Sequence, residues 1–127
     1  MPLAMESQDI HIRIGHSPDP DDAFMFHALT TGAMETPGRR YEHVLLDIQT
    51  LNEKALNSEY EISAVSIHSF PKIIENYALM NCGASMGEGY GPMLIGNEQL
   101  TSQEAKSRKI AIPGLDTSAY LALRLAW

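Results

Sequence analysis

A short apolar strand over Ile12–Gly15 runs directly into His16-Ser17-Pro18-Asp19-Pro20-Asp21-Asp22-Ala23-Phe24-Met25-Phe26, where the chain restarts as a helix. Asp19 is a capping residue type, and Pro20 suits the first helical position, where its missing N–H has no partner to lose. Asp21 and Asp22 put negative charge in the first turn, which the helix dipole favours. A strand that stops at a polar loop and resumes as a helix is the unit of open α/β sheets, and its loop is where they hold ligands. Alone, the run is equally a well-capped helix start.

The rest of the chain repeats this alternation. Asp21–Thr31 is a helix closed by Gly32 just past its end. Met34–Arg40 is a Pro/Gly turn region, Tyr41–Leu46 a strand, and Leu51–Ser58 a short helix opened by a Thr50–Glu53 capping box. Ile62–Ile67 is apolar and β-branched, hence a buried strand, and Phe70–Asn76 is helical. Tyr77–Met80 and Met93–Gly96 are short strands around a glycine-rich loop. Thr101 and Glu104 form a second capping box for Ser102–Ser107, Lys109–Ile112 is a strand, and Thr117–Trp127 is a closing helix. Such alternation means crossover units and a mostly parallel sheet with flanking helices. Two lobes are expected, divided at the polar stretch Asn97–Arg108. A flexible N-terminus would occupy 1–10, a first lobe 11–97, an inter-lobe segment 98–108, and the first strand–helix unit of a second lobe 109–127. The closing helix stops at Trp127 without a capping signal, which reads as a fragment of a longer protein.

Charge narrows the partners. Nine basic against 16 acidic side chains give −7, which argues against nucleic acid or an anionic membrane surface. An anionic ligand must therefore be held by local donors. Met1–Asp9 has neither the basic nor the apolar region of a secretory signal, and no apolar stretch approaches a membrane span. A lone cysteine, Cys82, excludes an internal disulfide and fits a reducing compartment, so the cytoplasm is expected.

Four segments could carry chemistry. At the first loop, Ser17 Oγ and the free amides of the following helix could bind a carboxylate, phosphate or sugar hydroxyl. Clustered His16, Asp19, Asp21 and Asp22 invite a metal, but their spacing fits no calcium loop and two prolines stiffen the segment; no metal is expected. The second segment is Ser63–Ser69, where Ser66 and His68 lie at the carboxyl edge of a strand; such a histidine is more often structural than catalytic. The third, Asn81–Pro92, has glycines at 83, 87, 89 and 91 but lacks the pattern of a P-loop or a dinucleotide fingerprint. It reads as a hinge or cleft wall, with Cys82 an inert buried thiol. In the fourth, Ile112–Tyr120, a strand ends, Gly114 turns the chain, and Thr117 and Ser118 could offer hydroxyls and unpaired amides to an anion. The plainer reading of that turn is N-capping by Asp116 or Thr117. Two such helix starts, near Ser17 and Thr117, would form one crevice gripping a ligand from both sides.

Taken in order, these segments resemble the 1,4-dihydroxy-6-naphthoate synthase family of menaquinone biosynthesis. The matching pieces are Ser17-Pro18-x-Pro20-Asp21-Asp22-x-Phe24-x-Phe26, Asp47-x-x-Thr50-Leu51-Asn52, Gly83-Ala84-x-x-Gly87-x-Gly89-x-Gly91-Pro92 and Pro113-Gly114-x-x-Thr117-Ser118-Ala119-Tyr120. The resemblance implies a two-lobed α/β fold of the type II periplasmic-binding-protein kind, with a nearly complete first lobe and the start of a second. It implies a cytoplasmic lyase of the futalosine pathway that cleaves cyclic de-hypoxanthine futalosine without cofactor or metal. Carried over by position, Ala64, Val65, Ser66, Thr117 and Ser118 would join Ser17 in binding a small anionic organic substrate.

The chain departs from that pattern at Ala64, where the synthases would carry a lysine, and this leaves room for a differently selective paralogue. The family's general base, a histidine of the second lobe, would lie beyond residue 127. None of His11, His16, His27, His43 or His68 takes its place, so no catalytic residue is assigned. The remaining partner would be the second lobe of the same chain, and residues 1–127 alone would turn nothing over. A solute-binding protein of an ABC transporter, or a non-catalytic small-molecule-binding paralogue, is the alternative on the same fold. Chorismate dehydratase ranks below it for want of the Ser-Pro-x-Pro-Asp-Asp start, and a stand-alone sensing module would need a capped C-terminus.

Overall fold

The computed structural model describes residues 9–127, so the expected flexible stretch 1–10 lies almost wholly outside the described residues. A central strand, β1 (Ile10–His16), is followed by α1 (Pro20–Thr30), β2 (Arg39–Leu45), α2 (Ile48–Leu56) and β3 (Ile62–Ser63). The three strands form one parallel sheet in the order β2-β1-β3. Ile14 faces His43 on one side and Ile62 on the other; Gly15 faces Val44 and Ser63. The first crossover runs to one side of β1 and the second returns to the other. The loops after β1 and β3 therefore flank the point at the carboxyl edge where strand order reverses, the usual ligand crevice of open α/β sheets.

The core lies between α2 and β1. Leu51 and Ala55 stand four apart on one helical face and are buried, Leu51 against β1 at Gly15; Ile14, on the opposite face of the strand, and Ile73 are also buried. Burying a leucine side chain contributes roughly 1.5–3 kcal/mol. Gly15 makes the close approach possible: a Cβ there would sit 2.8 Å from both Leu51 Cδ2 and Tyr60 Cδ2. The chain leaves α1 through Gly32, whose φ of +69° is the left-handed conformation expected of it.

Several elements differ from the sequence expectation for local reasons. α2 is capped by Asp47, not Thr50: Asp47 Oδ1 accepts from Thr50 N–H at 3.0 Å and Oδ2 from the Thr50 hydroxyl at 2.6 Å. Those bonds from Thr50 hold the Asp47 carboxyl below its usual value. β2 starts at Arg39, inside the expected turn region, because its parallel register follows β1 back to Ile10. β3 ends at Ser63 and not at Ile67. Ala64 N–H reaches Gly15 O at 2.8 Å, but Ser66 N–H is taken by a side chain of α2. Phe70–Asn76 yields only a 3-10 turn over Phe70–Lys72, with Pro71 inside it.

Tyr77–Met80, Met93–Gly96 and Lys109–Ile112 are not strands. No neighbouring strand among the described residues supplies the ladder that an apolar run needs to become one. Cys82 lies in this unpaired region and is exposed, not buried as expected. Further along, α3 (Ser102–Lys106) carries the full Thr101–Glu104 capping box, and α4 (Ser118–Ala126) is capped by Thr117. The result is a small α/β unit with a three-stranded parallel sheet and flanking helices. Among the described residues, no helix is long and apolar enough to cross a membrane.

Candidate functional site

At the end of β1 the loop bonds mainly within itself. Asp19 has the extended backbone of an N-cap but its side chain caps nothing. Instead Asp22 reaches back to accept Ser17 N–H at 2.7 Å, and Ser17 Oγ accepts Asp19 N–H at 3.1 Å. Beneath the loop, His16 is buried with its Nδ1 3.0 Å from Ser17 O and its Nε2 3.0 Å from His43 Nδ1. A carbonyl only accepts, so His16 carries its proton on Nδ1 and His43 donates from its own Nδ1. Among the described residues, His43 Nε2 is left as a buried lone pair without a partner. Burial, then the neighbouring His16, lowers the His43 pKa from its ordinary value. With Phe26, His27 and Leu45 these residues line a hollow of about 350 Å³, which holds Ser17 but not Ser66, Thr117 or Ser118.

The end of β3 is organised differently. Ala64, Val65 and Ser66 leave the strand half-buried. Ser66 N–H donates to Asn52 Oδ1 at 2.8 Å, while Ser66 Oγ accepts from Asn52 Nδ2 at 3.1 Å. The same Nδ2 donates to the Asp116 carbonyl at 3.2 Å, which also accepts the Ser69 hydroxyl at 2.9 Å. His68 N–H donates to Ser118 Oγ at 3.3 Å, and His68 Nδ1 lies 3.2 Å from Thr117 O. By the same tautomer argument, His68 Nε2 is the bare nitrogen when the ring is neutral. Asp116 itself is anchored by Lys72 and by Gln49, whose Oε1 accepts its N–H at 3.0 Å. Lys72 is the main cause of an Asp116 carboxyl pKa below the usual value.

These bonds sort the candidate ligand-holding groups. The Thr117 hydroxyl donates to Gly114 O at 2.8 Å and accepts Tyr120 N–H at 3.3 Å, so it is committed to the turn and the cap. Ser66 and Ser118 each accept one bond and keep their own O–H free among the described residues. Ser118 and Ala119 N–H, at the start of α4, likewise have no acceptor among the described residues. The arrangement offers two hydroxyl donors and two amides, suited to a carboxylate or another oxygen anion.

The structure thus brings Ser66, Thr117 and Ser118 together, with Ala64 and Val65 leading into them. Ser17 stands at the same sheet edge in its own hollow. A second hollow, also about 350 Å³, lies where the glycine-rich segment meets α1 and is lined by Asp21, Ser85, Met86, Gly87 and Tyr90. No cluster of three or more His, Cys, Asp or Glu able to hold a metal occurs among the described residues. Gln49 was not singled out in the sequence, and Asn52 and Ser69, though they lie in the motifs quoted above, were given no role there; all three bond the turn before α4. Asn52 had a readable signal: it sits beside Leu51 on the stripe that ends at Ala55, and a polar amide there must find partners when buried.

Comparison with known proteins converges on one group. A family model described as menaquinone biosynthesis matches residues 12–127. A 1,4-dihydroxy-6-naphtoate synthase of Thermus thermophilus is 34% identical over 114 residues, 90% of this chain and 41% of that protein. Its counterpart from Streptomyces coelicolor is 32% identical over 115 residues, 90% of this chain and 39% of that protein. A crystal structure of an Archaeoglobus fulgidus protein superposes with a TM-score of 0.61 at 49% identity, covering 64% of this chain and 30% of that one. The chain spans about two fifths of the length of the curated relatives it matches. With its order of motifs matched from Ile12 to the last residue, this chain belongs to the menaquinone-biosynthesis family.

Proposed function

We propose that these residues form the substrate-holding wall of a 1,4-dihydroxy-6-naphthoate synthase-like enzyme that cleaves cyclic de-hypoxanthine futalosine in the cytoplasm. The observation that carries this reading is that the Ser66–Ser69 segment is bonded to the start of α4, through Asn52, His68 and Ser69, while the Ser66 and Ser118 hydroxyls each keep a proton with no acceptor among the described residues. A chain of net charge −7 does not attract an anion by its overall field, so such local donors have to do so. The substrate carboxylate would sit between these hydroxyls and the Ser118 and Ala119 amides. The reaction is lyase-type proton abstraction, which needs a base within hydrogen-bond reach and closure against water. A second lobe would supply both across an inter-lobe cleft. The five histidines of this chain are spent otherwise or lie away from Ser66 and Ser118, His68 excepted, and His68 serves to hold the Thr117 turn.

The test is to incubate the full-length protein with cyclic de-hypoxanthine futalosine and follow naphthoate by its absorbance and mass. Conversion is expected, with Ser118→Ala raising KM about tenfold, the cost of one hydrogen bond to a charged group. Residues 1–127 alone should leave the compound unconverted. A full-length protein that binds the compound and never converts it would contradict the enzyme reading and favour the solute-binding alternative.

A further inference from the structure

We infer that Asn52 is the positioning residue of this site, setting both the Ser66 hydroxyl and the start of α4 from one buried amide. The inference rests on the reading above that Ser66 and Ser118 hold the ligand. Asn52 has no exposed surface, and its one side-chain amide bonds both Ser66 and the Asp116 carbonyl. Its partners are 14 and 64 residues away in sequence, so the contacts are made only in the folded chain. Packing alone does not call for it. Leu51 and Ala55 already bury the helix face, and an apolar side chain of the same volume would avoid the cost of enclosing an amide. What the amide adds is direction. Its Nδ2–H occupies a lone pair of Ser66 Oγ, and its Oδ1 holds the Ser66 backbone, so the hydroxyl proton is turned away from α2. Its second N–H joins the Ser69 hydroxyl in holding the Asp116 carbonyl, and with it the peptide plane that leads into Thr117 and Ser118. Ser66 therefore contributes to binding only while Asn52 holds it.

That dependence is measurable as a failure of additivity. In the full-length protein, affinity for 1,4-dihydroxy-6-naphthoate is read by calorimetry for Asn52→Leu, Ser66→Ala and the pair. Ser66→Ala should weaken binding about tenfold, and Asn52→Leu at least as much. The double variant should bind no more weakly than Asn52→Leu alone, because the hydroxyl removed second no longer contributes. A double variant about tenfold weaker than Asn52→Leu would mean the two residues act independently and would overturn the inference while leaving the binding site intact. If wild type itself does not bind the naphthoate, the functional reading falls, and this inference with it. Should Asn52→Leu not fold, Asn52→Ala replaces it; it removes the same bonds without adding a charge, and carries the same expectation.

Discussion

The two strand ends of this small sheet have the same outline and opposite wiring. After β1, the loop closes on itself: Ser17, Asp19 and Asp22 exchange bonds within five residues, and His16 bonds the very next carbonyl. After β3, bonds run from Ser66 to α2 and from His68 and Ser69 to a turn about 50 residues on. The first end is closed by bonds within a few residues, although the Ser17 hydroxyl and the first α1 amides also find no acceptor among the described residues. The second is assembled from three separate segments and leaves two hydroxyl protons and two amides without acceptors among the described residues. A ligand site is better made from the second, because its geometry exists only when the fold does.

The contrast can be broken most forcefully at the core beneath both ends. Leu51 lies against Gly15 on one side and next to Asn52 on the other. Leu51→Ala should cost about 2–5 kcal/mol in urea unfolding, as deletions of fully buried leucines do. Amide exchange should accelerate at Ser66 more than at Ser17, whose acceptor Asp22 is only five residues away. Equal acceleration at both would show that the first end also depends on the core.

A smaller effect separates the ends by pH. The folded chain disfavours charge on His43, so the unfolded chain binds a proton more readily. Stability from this source is therefore complete above the ordinary imidazole value of about 6.5 and is lost as the pH falls below it. The slope cannot exceed about 1.4 kcal/mol per pH unit, the limit for one proton. His43→Gln, which can still donate to His16 Nε2, should flatten the dependence measured from about pH 7 to about pH 5. An unchanged slope would place the proton elsewhere.

What could be read from the residues follows the same division. The β1–loop–α1 unit, the Gly32 stop and the Thr101–Glu104 box are local patterns, and the chain forms them. The box proposed at Thr50 failed because Asp47 offers a competing cap three residues earlier and reaches the same amide. The short length of β3 was not legible, since what ends it is Asn52, whose position depends on how α2 packs. Apolar runs such as Met93–Gly96 carry strand-forming residues but no information about a neighbour to pair with. At the site, residue types pointed to Ser66, Thr117 and Ser118. That Thr117 is spent as a cap while the two serines keep their protons is a property of three-dimensional bonding alone.

The most direct measurement is a crystal structure of the full-length protein with 1,4-dihydroxy-6-naphthoate bound. Ser66 Oγ and Ser118 Oγ are expected to lie within hydrogen-bond distance, about 2.5–3.0 Å, of the same ligand carboxylate. A naphthoate seated instead in the hollow of His16, Phe26 and His43, with both serines untouched, would contradict the account.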